Sequence, residues 1–451
     1  MNKLFIYLFL LVSIHTMAQP PRELKEISAM RLPRLMAPPT NIYEVNIRQF
    51  TKEGTINAFA KHLPRLRKMG VELLWLMPVQ PIGVERRKGS MGSYYSIQDY
   101  MAINPEFGTM EDFISMVQQA HQLGFRVILD WVANHTSFDH AWIKTHPEWF
   151  TRDSVGGIAS PFDWTDVADL NYENKEMRTA MSEAMKFWLR ATDIDGFRCD
   201  VAELVPLDFW ELCRKDLQTV KPVFMLAEGE KPELIPSFDM TYSWTLHHLL
   251  NEVAKGKKTV KDIENYLVED PKKFPASSIR MNFTSNHDEN SWNGTEFERM
   301  GELAQACAVL TIGLPGMPLI YSGQEAPLKK RLLFFEKDPI DWNGYQYEKF
   351  YTDLLQLKYN NAALKNVRND AVAHKINGKG NPNIMAFWRD GANKKVLFFV
   401  NLSNKEQKAS YDDAAISGTY DFFGADQTTK LLIEKKHTVT IGPGKWLIMV
   451  E

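Results

Sequence analysis

From about Asn41 onward the sequence alternates short apolar runs with amphipathic stretches, and this alternation limits the chain to few architectures. Residues 42–50 read as a strand, 55–69 as a helix ending at Gly70, and 71–78 as a strand stopped by proline. Residues 109–123 carry a helical pattern closed by Gly124, and a strand follows at 125–130. Further strands are expected at 194–200, 222–228, 238–242, 279–286 and 317–321. A repeated strand-then-helix order predicts a parallel sheet with crossover helices. Eight such strands suit an α/β fold of the (β/α)8 TIM-barrel type.

The spacing of acidic residues supports that count. Asp200 and Glu228 stand 28 residues apart, about one strand–helix unit of a ~250-residue barrel. Asp130 and Asp200 stand 70 apart, too far for one unit, so the surplus is expected in a short loop-rich subdomain at 131–171. The barrel is then built from 41–130 and 172–364, with a closing helix near 347–359. Beyond about Lys365 the pattern changes to short strands at 384–389, 395–402, 418–422, 438–442 and 445–450. These predict a C-terminal antiparallel β-sandwich over 365–451.

Composition enters mainly to exclude. The formal net charge is -3 and there is no basic stripe, which gives no footprint for nucleic acid. Lys3, the apolar run at 4–14 and the small residues before Gln19 read as a signal peptide over 1–18, cleaved after Ala18. The expected location is therefore periplasmic or extracellular. That run is too short to span a bilayer, and no later stretch is apolar enough to do so. Cys199, Cys213 and Cys307 are odd in number and lack zinc spacing, so they are expected to be packed thiols.

Four segments place chemistry at the carboxyl ends of expected strands, the catalytic face of such barrels. They are Asp130 to His135, Gly196 to Asp200, Phe224 to Gly229, and Phe283 to Asp288. Arg198 and Asp200 are two apart on one strand and share a face. A guanidinium beside the carboxylate is expected to lower the pKa of Asp200, as a nucleophile needs. Glu228, near Asp200 and Asp288, is expected to stay protonated and to serve as proton donor. Carboxyls on adjacent strands reach the ~5 Å separation of a retaining glycosidase. Asp288, His135 and His287 would hold sugar hydroxyls, and Cys199 would face the helix layer. Each segment alone could equally be a helix cap or a loop bracket. The coincidence of four at one end of the barrel carries the reading.

In this order the four segments resemble the signature regions of the α-amylase family, glycoside hydrolase family 13. Tyr94 to Tyr100, Asn104 to Thr109, and Ala168 to Asn171 match as well. The resemblance implies Asp200 as nucleophile, Glu228 as general acid/base and Asp288 as transition-state stabiliser. It further implies that Tyr95 stacks on the sugar at the cleavage point, with His135, Arg198 and His287 completing that site. The expected substrate is an α-glucan or maltooligosaccharide cleaved at α-1,4 bonds in starch degradation. No cofactor is required. Glu203 and Leu204 stand where calcium-binding members carry a Lys-His pair, and only Asn134 and Asp169 remain as calcium-type ligands. Calcium there is left open, on the side of absence. The alternatives are a transglycosylase on the same residues and a non-catalytic glucan-binding protein. A metal-dependent barrel hydrolase lacks its His-x-His pair, since Asn46-Ile-Arg48 stands on the first strand. Most of the twelve tryptophans are expected to be packing residues, and only Trp142, Trp149 and Trp164, in the segment after the third strand, are candidates for substrate contact.

Overall fold

The computed structural model describes residues 38–424 and 430–451. The signal-peptide reading at 1–18 falls outside them. Eight parallel strands close into a barrel: β1 (Ile42–Val45), β2 (Leu73–Leu76), β3 (Arg126–Trp131), β4 (Gly196–Cys199), β5 (Phe224–Ala227), β6 (Met240–Tyr242), β7 (Ile279–Asn282) and β8 (Met317–Tyr321). All eight expected strands are present, and each pairs with its neighbour in chain order, β8 returning to β1.

Alternation along each strand sorts the interior into two storeys. The lower one is an apolar plug of Ile42, Leu73, Ile128, Leu226, Met240, Ile279, Met281, Met317 and Leu319. Two residues further toward the carboxyl end, the same inward face carries Glu44, Trp75, Asp130, Arg198 and Tyr242. The opposite parity, including Tyr43, Leu74, Leu129, Phe197 and Cys199, packs against the surrounding helices. The three thiols are buried and form no disulfide.

Two sequence expectations are corrected. The first strand stops at Val45, and Ile47–Phe50 forms a helical turn. Its amides Gln49 and Phe50 donate to the Asn46 carbonyl at 3.1 and 2.9 Å, so the chain bends over the barrel mouth. The apolar run continues because both arms of the bend are buried. The helix expected at 55–69 is two helices, Ile56–Ala60 and Leu63–Met69. Pro64 sits in the first turn of the second, where its missing N–H costs nothing; continued as one helix, its ring would strike the Ala60 carbonyl. The helix at Met110–Gln122 starts as the sequence indicates, with a reciprocal Thr109–Asp112 cap.

After β3 the chain makes an antiparallel ribbon of His135–Ser137 with Val167–Asp169, enclosing the short helix Ala141–Thr145. Near the C-terminus, six- and three-stranded antiparallel sheets face one another across Leu397, Phe399, Ala409, Tyr411, Val439 and Ile441. Their strands include Gln407–Asp412 and Lys430–Ile433, absent from the sequence reading. Gln407–Asp412 carries charged and polar residues on its solvent face, and Lys430–Ile433 is short with Leu432 exposed, so neither shows a clear apolar period. The larger sheet packs on the barrel's helix layer, where Phe398 fills the space left by Gly313.

Gly196 opens β4 at the approach to β5. A Cβ there would stand 1.9 Å from the Phe224 carbonyl oxygen. Gly196→Ala is therefore expected to destabilise the protein by more than about 3 kcal/mol, read as a lower urea unfolding midpoint.

Candidate active site

Arg198 is fully buried on β4 and reaches three carboxyls at the barrel mouth. Its Nη1 donates to Asp130 Oδ1 and to Asp200 Oδ1, each at 2.8 Å. Its Nη2 lies 2.9 Å from Glu228 Oε2, an ion pair without hydrogen-bond alignment. Its Nε donates to the Tyr242 hydroxyl at 3.2 Å, and the Trp75 ring lies 5.0 Å from the guanidinium carbon. A buried cation is tolerated only with partners of this number and geometry.

His287 is the second cation. Its Nδ1 donates to Glu44 Oε1 at 2.5 Å, and its Nε2 lies 2.8 Å from the Tyr95 hydroxyl and 3.3 Å from Asp288 Oδ2. The Tyr95 hydroxyl donates onward to Asp130 Oδ2 at 3.0 Å, which also receives Trp75 Nε1 at 3.1 Å. One unbroken network therefore runs from Glu44 through His287, Tyr95, Asp130 and Arg198 to Asp200. Burial alone would lower the His287 pKa, but Asp288 and Glu44 outweigh it and push it up to about 9.

The cluster sets Glu44, Asp130, Asp200, Glu228 and Asp288 against Arg198 and His287 as its cations. With acids in excess, burial first and neighbouring carboxylates second hold Asp200 well above the usual carboxylate range, with Arg198 opposing. Burial raises Asp130 and Asp288 too. Arg198 does pull Asp200 down, as expected, but burial and the neighbouring acids outweigh it, because one guanidinium is divided among three acids in a dry site.

The β4–β5 ladder carries the two key acids side by side. The Asp200 amide donates to the Trp131 carbonyl at 2.9 Å, and the Glu228 amide to the Cys199 carbonyl at 3.0 Å. Directly after Asp200, Val201 adopts φ 36° and ψ 45°, and its N–H donates to Glu228 Oε2 at 2.7 Å. A β-branched residue in the left-handed region is strained by about 1–3 kcal/mol.

Of the seven sequence-expected residues, Arg198, Asp200, Glu228, Tyr95, His287 and Asp288 belong to this network. The Tyr95 and His287 rings stack at 5.5 Å and 21°. His135 stands edge-on to Trp164 at 5.6 Å, and its buried Nε2 makes no well-aligned hydrogen bond. Burial lowers the His135 pKa to about 4, so the ring is neutral with a polar atom to offer a ligand. Trp142 and Trp149 pack on each other at 5.0 Å inside the segment after β3, and of the three expected tryptophans only Trp164 reaches a site residue. Glu44, Trp75 and Tyr242 were missed. A lone acid at inward parity in the otherwise apolar β1 was the available signal for Glu44.

The residues present do not make a calcium site. Leu204 offers no side-chain ligand atom. Glu203 accepts amides from Glu230 and Lys231 and pairs with Lys231 at 3.1 Å. Asn134 contacts His135, leaving Asp169 as the one carboxylate. Among the described residues no group of three or more His, Cys, Asp or Glu is placed to hold a metal ion. A cavity of about 170 Å³ lies elsewhere, lined by Tyr266, Asp270, Arg280 and Arg368. Arg280 and Asp270 pair with each other at 3.0 Å, and none of the clustered acids faces it.

Comparison with known proteins agrees with the barrel fold. Residues 39–155 and 160–343 match the family described as alpha amylase, catalytic domain. Alpha-amylase MalA of Haloarcula japonica is 28% identical over 341 residues, covering 72% of this chain and 49% of the relative. An alpha-1,4-glucan:maltose-1-phosphate maltosyltransferase of Arcanobacterium haemolyticum is 28% identical over 397 residues, covering 77% and 55%. The chain thus spans about half the length of these two curated relatives. The crystal structure of a noncanonic maltogenic alpha-amylase, AmyB from Thermotoga neapolitana, superposes with a TM-score of 0.82 at 29% identity, covering 91% of this chain and 98% of that one.

The raised His287 couples protonation to stability. Its ordinary value is 6.5 and its folded value about 9, so the stabilisation is complete below pH 6.5 and is lost as pH rises through 9. Relative to His287→Gln, the wild type is expected to lose on the order of 3 kcal/mol across that window, measured by urea unfolding at a series of pH values.

Proposed function

The chain belongs to the α-amylase catalytic-domain family, and from that premise we propose that this glycosidase hydrolyses α-1,4-glucosidic bonds of starch-derived glucans with retention of configuration. The supporting observation is that Asp200 and Glu228 share the Arg198 guanidinium, at 2.8 and 2.9 Å. That closeness fits the ~5–5.5 Å carboxyl separation of retaining enzymes better than the ~6.5–9.5 Å of inverting ones.

In the first step a carboxylate oxygen of Asp200 attacks the anomeric carbon. Glu228 gives its proton to the glycosidic oxygen, that C–O bond breaks, and the shortened glucan leaves. In the second step Glu228 takes a proton from water, whose oxygen attacks the same carbon and frees Asp200. Val201 N–H steadies Glu228 by its 2.7 Å hydrogen bond. The first step needs the proton on Glu228 and the charge on Asp200, and the Arg198 guanidinium 2.8 Å from Asp200 favours its ionised form. Asp288, cationic His287 and neutral His135 hold hydroxyls of the reacting sugar, while Tyr95 presents its ring to the apolar C–H face.

A second reading is transfer to a sugar hydroxyl in place of water, favoured by the likeness to a maltosyltransferase. The residues and the first step are identical; only the acceptor differs. The signal-like segment at 1–18 supports starch degradation outside the cytoplasm. No helix of the described residues is long and apolar enough to cross a membrane.

Asp200→Asn is expected to cut turnover of maltooligosaccharides by at least about 10⁴-fold, measured by product release; wild-type activity in that variant would sink the mechanism. Glu228→Gln is expected to lose natural glucans while retaining part of the first step on an aryl glycoside whose leaving group needs no proton. Size separation of products at high maltooligosaccharide concentration distinguishes water from sugar as acceptor, since longer oligomers arise only by transfer.

A further inference from the structure

Trp292 is a large aromatic side chain left 52% exposed, four residues beyond Asp288. It sits in a π-helical turn, Glu289–Asn293, a geometry found frequently at functional sites. A single exposed aromatic residue means little. This one continues an aromatic surface that begins inside the site. Tyr95 and Phe334 stack at 6.2 Å and 14°, and Phe334 meets Trp292 at 5.2 Å. Phe335 closes the group, 5.1 Å from Phe334 and 5.8 Å from Trp292.

The surface is held by construction. Asn290 Nδ2 donates to the Lys330 carbonyl at 3.1 Å, and Asn290 Oδ1 accepts the Leu332 amide at 2.9 Å. Ser291 Oγ donates to the Leu332 carbonyl at 2.9 Å. These three bonds fasten the turn after β7 to the segment after β8. On the other side the Met91 amide donates to the Phe335 carbonyl at 3.0 Å. Gly89 allows this approach: a Cβ there would stand 2.4 Å from that of Phe335. A platform fixed before a ligand arrives loses little conformational freedom on binding.

We propose that Trp292 and Phe334 form an outer sugar subsite, which stacks the glucose residue next along an α-glucan chain from the one on Tyr95. This rests on the reading that Tyr95 carries the reacting sugar. A pyranose suits the ledge because one face of its ring is C–H and apolar while its hydroxyl rim stays in water. The platform is continuous with the site, so its occupant is the same chain that enters the site. The sequence alone pointed to the tryptophans after β3, and two of those pack inward.

The test is steady-state kinetics on maltotetraose and maltose with Trp292→Ala and Trp292→Phe. In Trp292→Ala the ratio of kcat/KM on maltotetraose to that on maltose is expected to fall roughly tenfold, and Trp292→Phe is expected to keep most of the wild-type ratio. An unchanged ratio in Trp292→Ala, whether both substrates are unaffected or both lose equally, overturns the subsite and leaves the glycosidase reading standing. A wild type inactive on both sugars overturns the glycosidase reading and the subsite together.

Discussion

The barrel mouth depends on one buried guanidinium. Arg198 holds carboxyls from β3, from the end of β4 and from the end of β5 around a single planar group. Without it, three acids would face one another in a water-poor space, and mutual repulsion would drive them apart or to full protonation. His287 repeats the device on the far side, joining Glu44 of β1 to Tyr95 and Asp288. Tyr95 and Asp130 link the two cations, so five of the eight strand ends are tied by charge as well as by backbone hydrogen bonds.

The storeys beneath explain why this concentration of charge is tolerated. Every strand but β4, which has Gly196 there, carries an apolar side chain low on its inward face, and several carry a polar one two places higher. The plug of Ile, Leu and Met side chains supplies burial, and the storey above is left to chemistry. That division matches the general partition of such barrels, with stability at the amino-terminal face and function at the carboxyl-terminal face.

Much of this was legible in the sequence, and the exceptions have identifiable causes. The eight strands could be read because burial on both faces makes them short apolar runs. Arg198 and Asp200 could be read because a two-residue spacing fixes a shared face. The break at Pro64 was also written in the sequence, but the amphipathic period on either side masked it. Glu44 was hidden because one acid in a four-residue strand has no pattern of its own, and its partner His287 lies 243 residues away. The direction of the Asp200 shift was missed because local spacing shows one cation beside one acid. Only the closed barrel brings Asp130 and Glu228 to the same cation. Trp292 was passed over because exposure is a property of the packed surface, and composition does not report it.

Val201 shows how aim and endurance compete in a single dihedral angle. Its backbone is left-handed at the residue whose amide donates to Glu228. The rest of the fold must hold that posture against its own preference. A glycine here would ease the contortion and harden the protein against heat, while loosening the backbone that holds the Glu228 side chain. Efforts to toughen this protein by relieving strained positions should therefore leave Val201 alone.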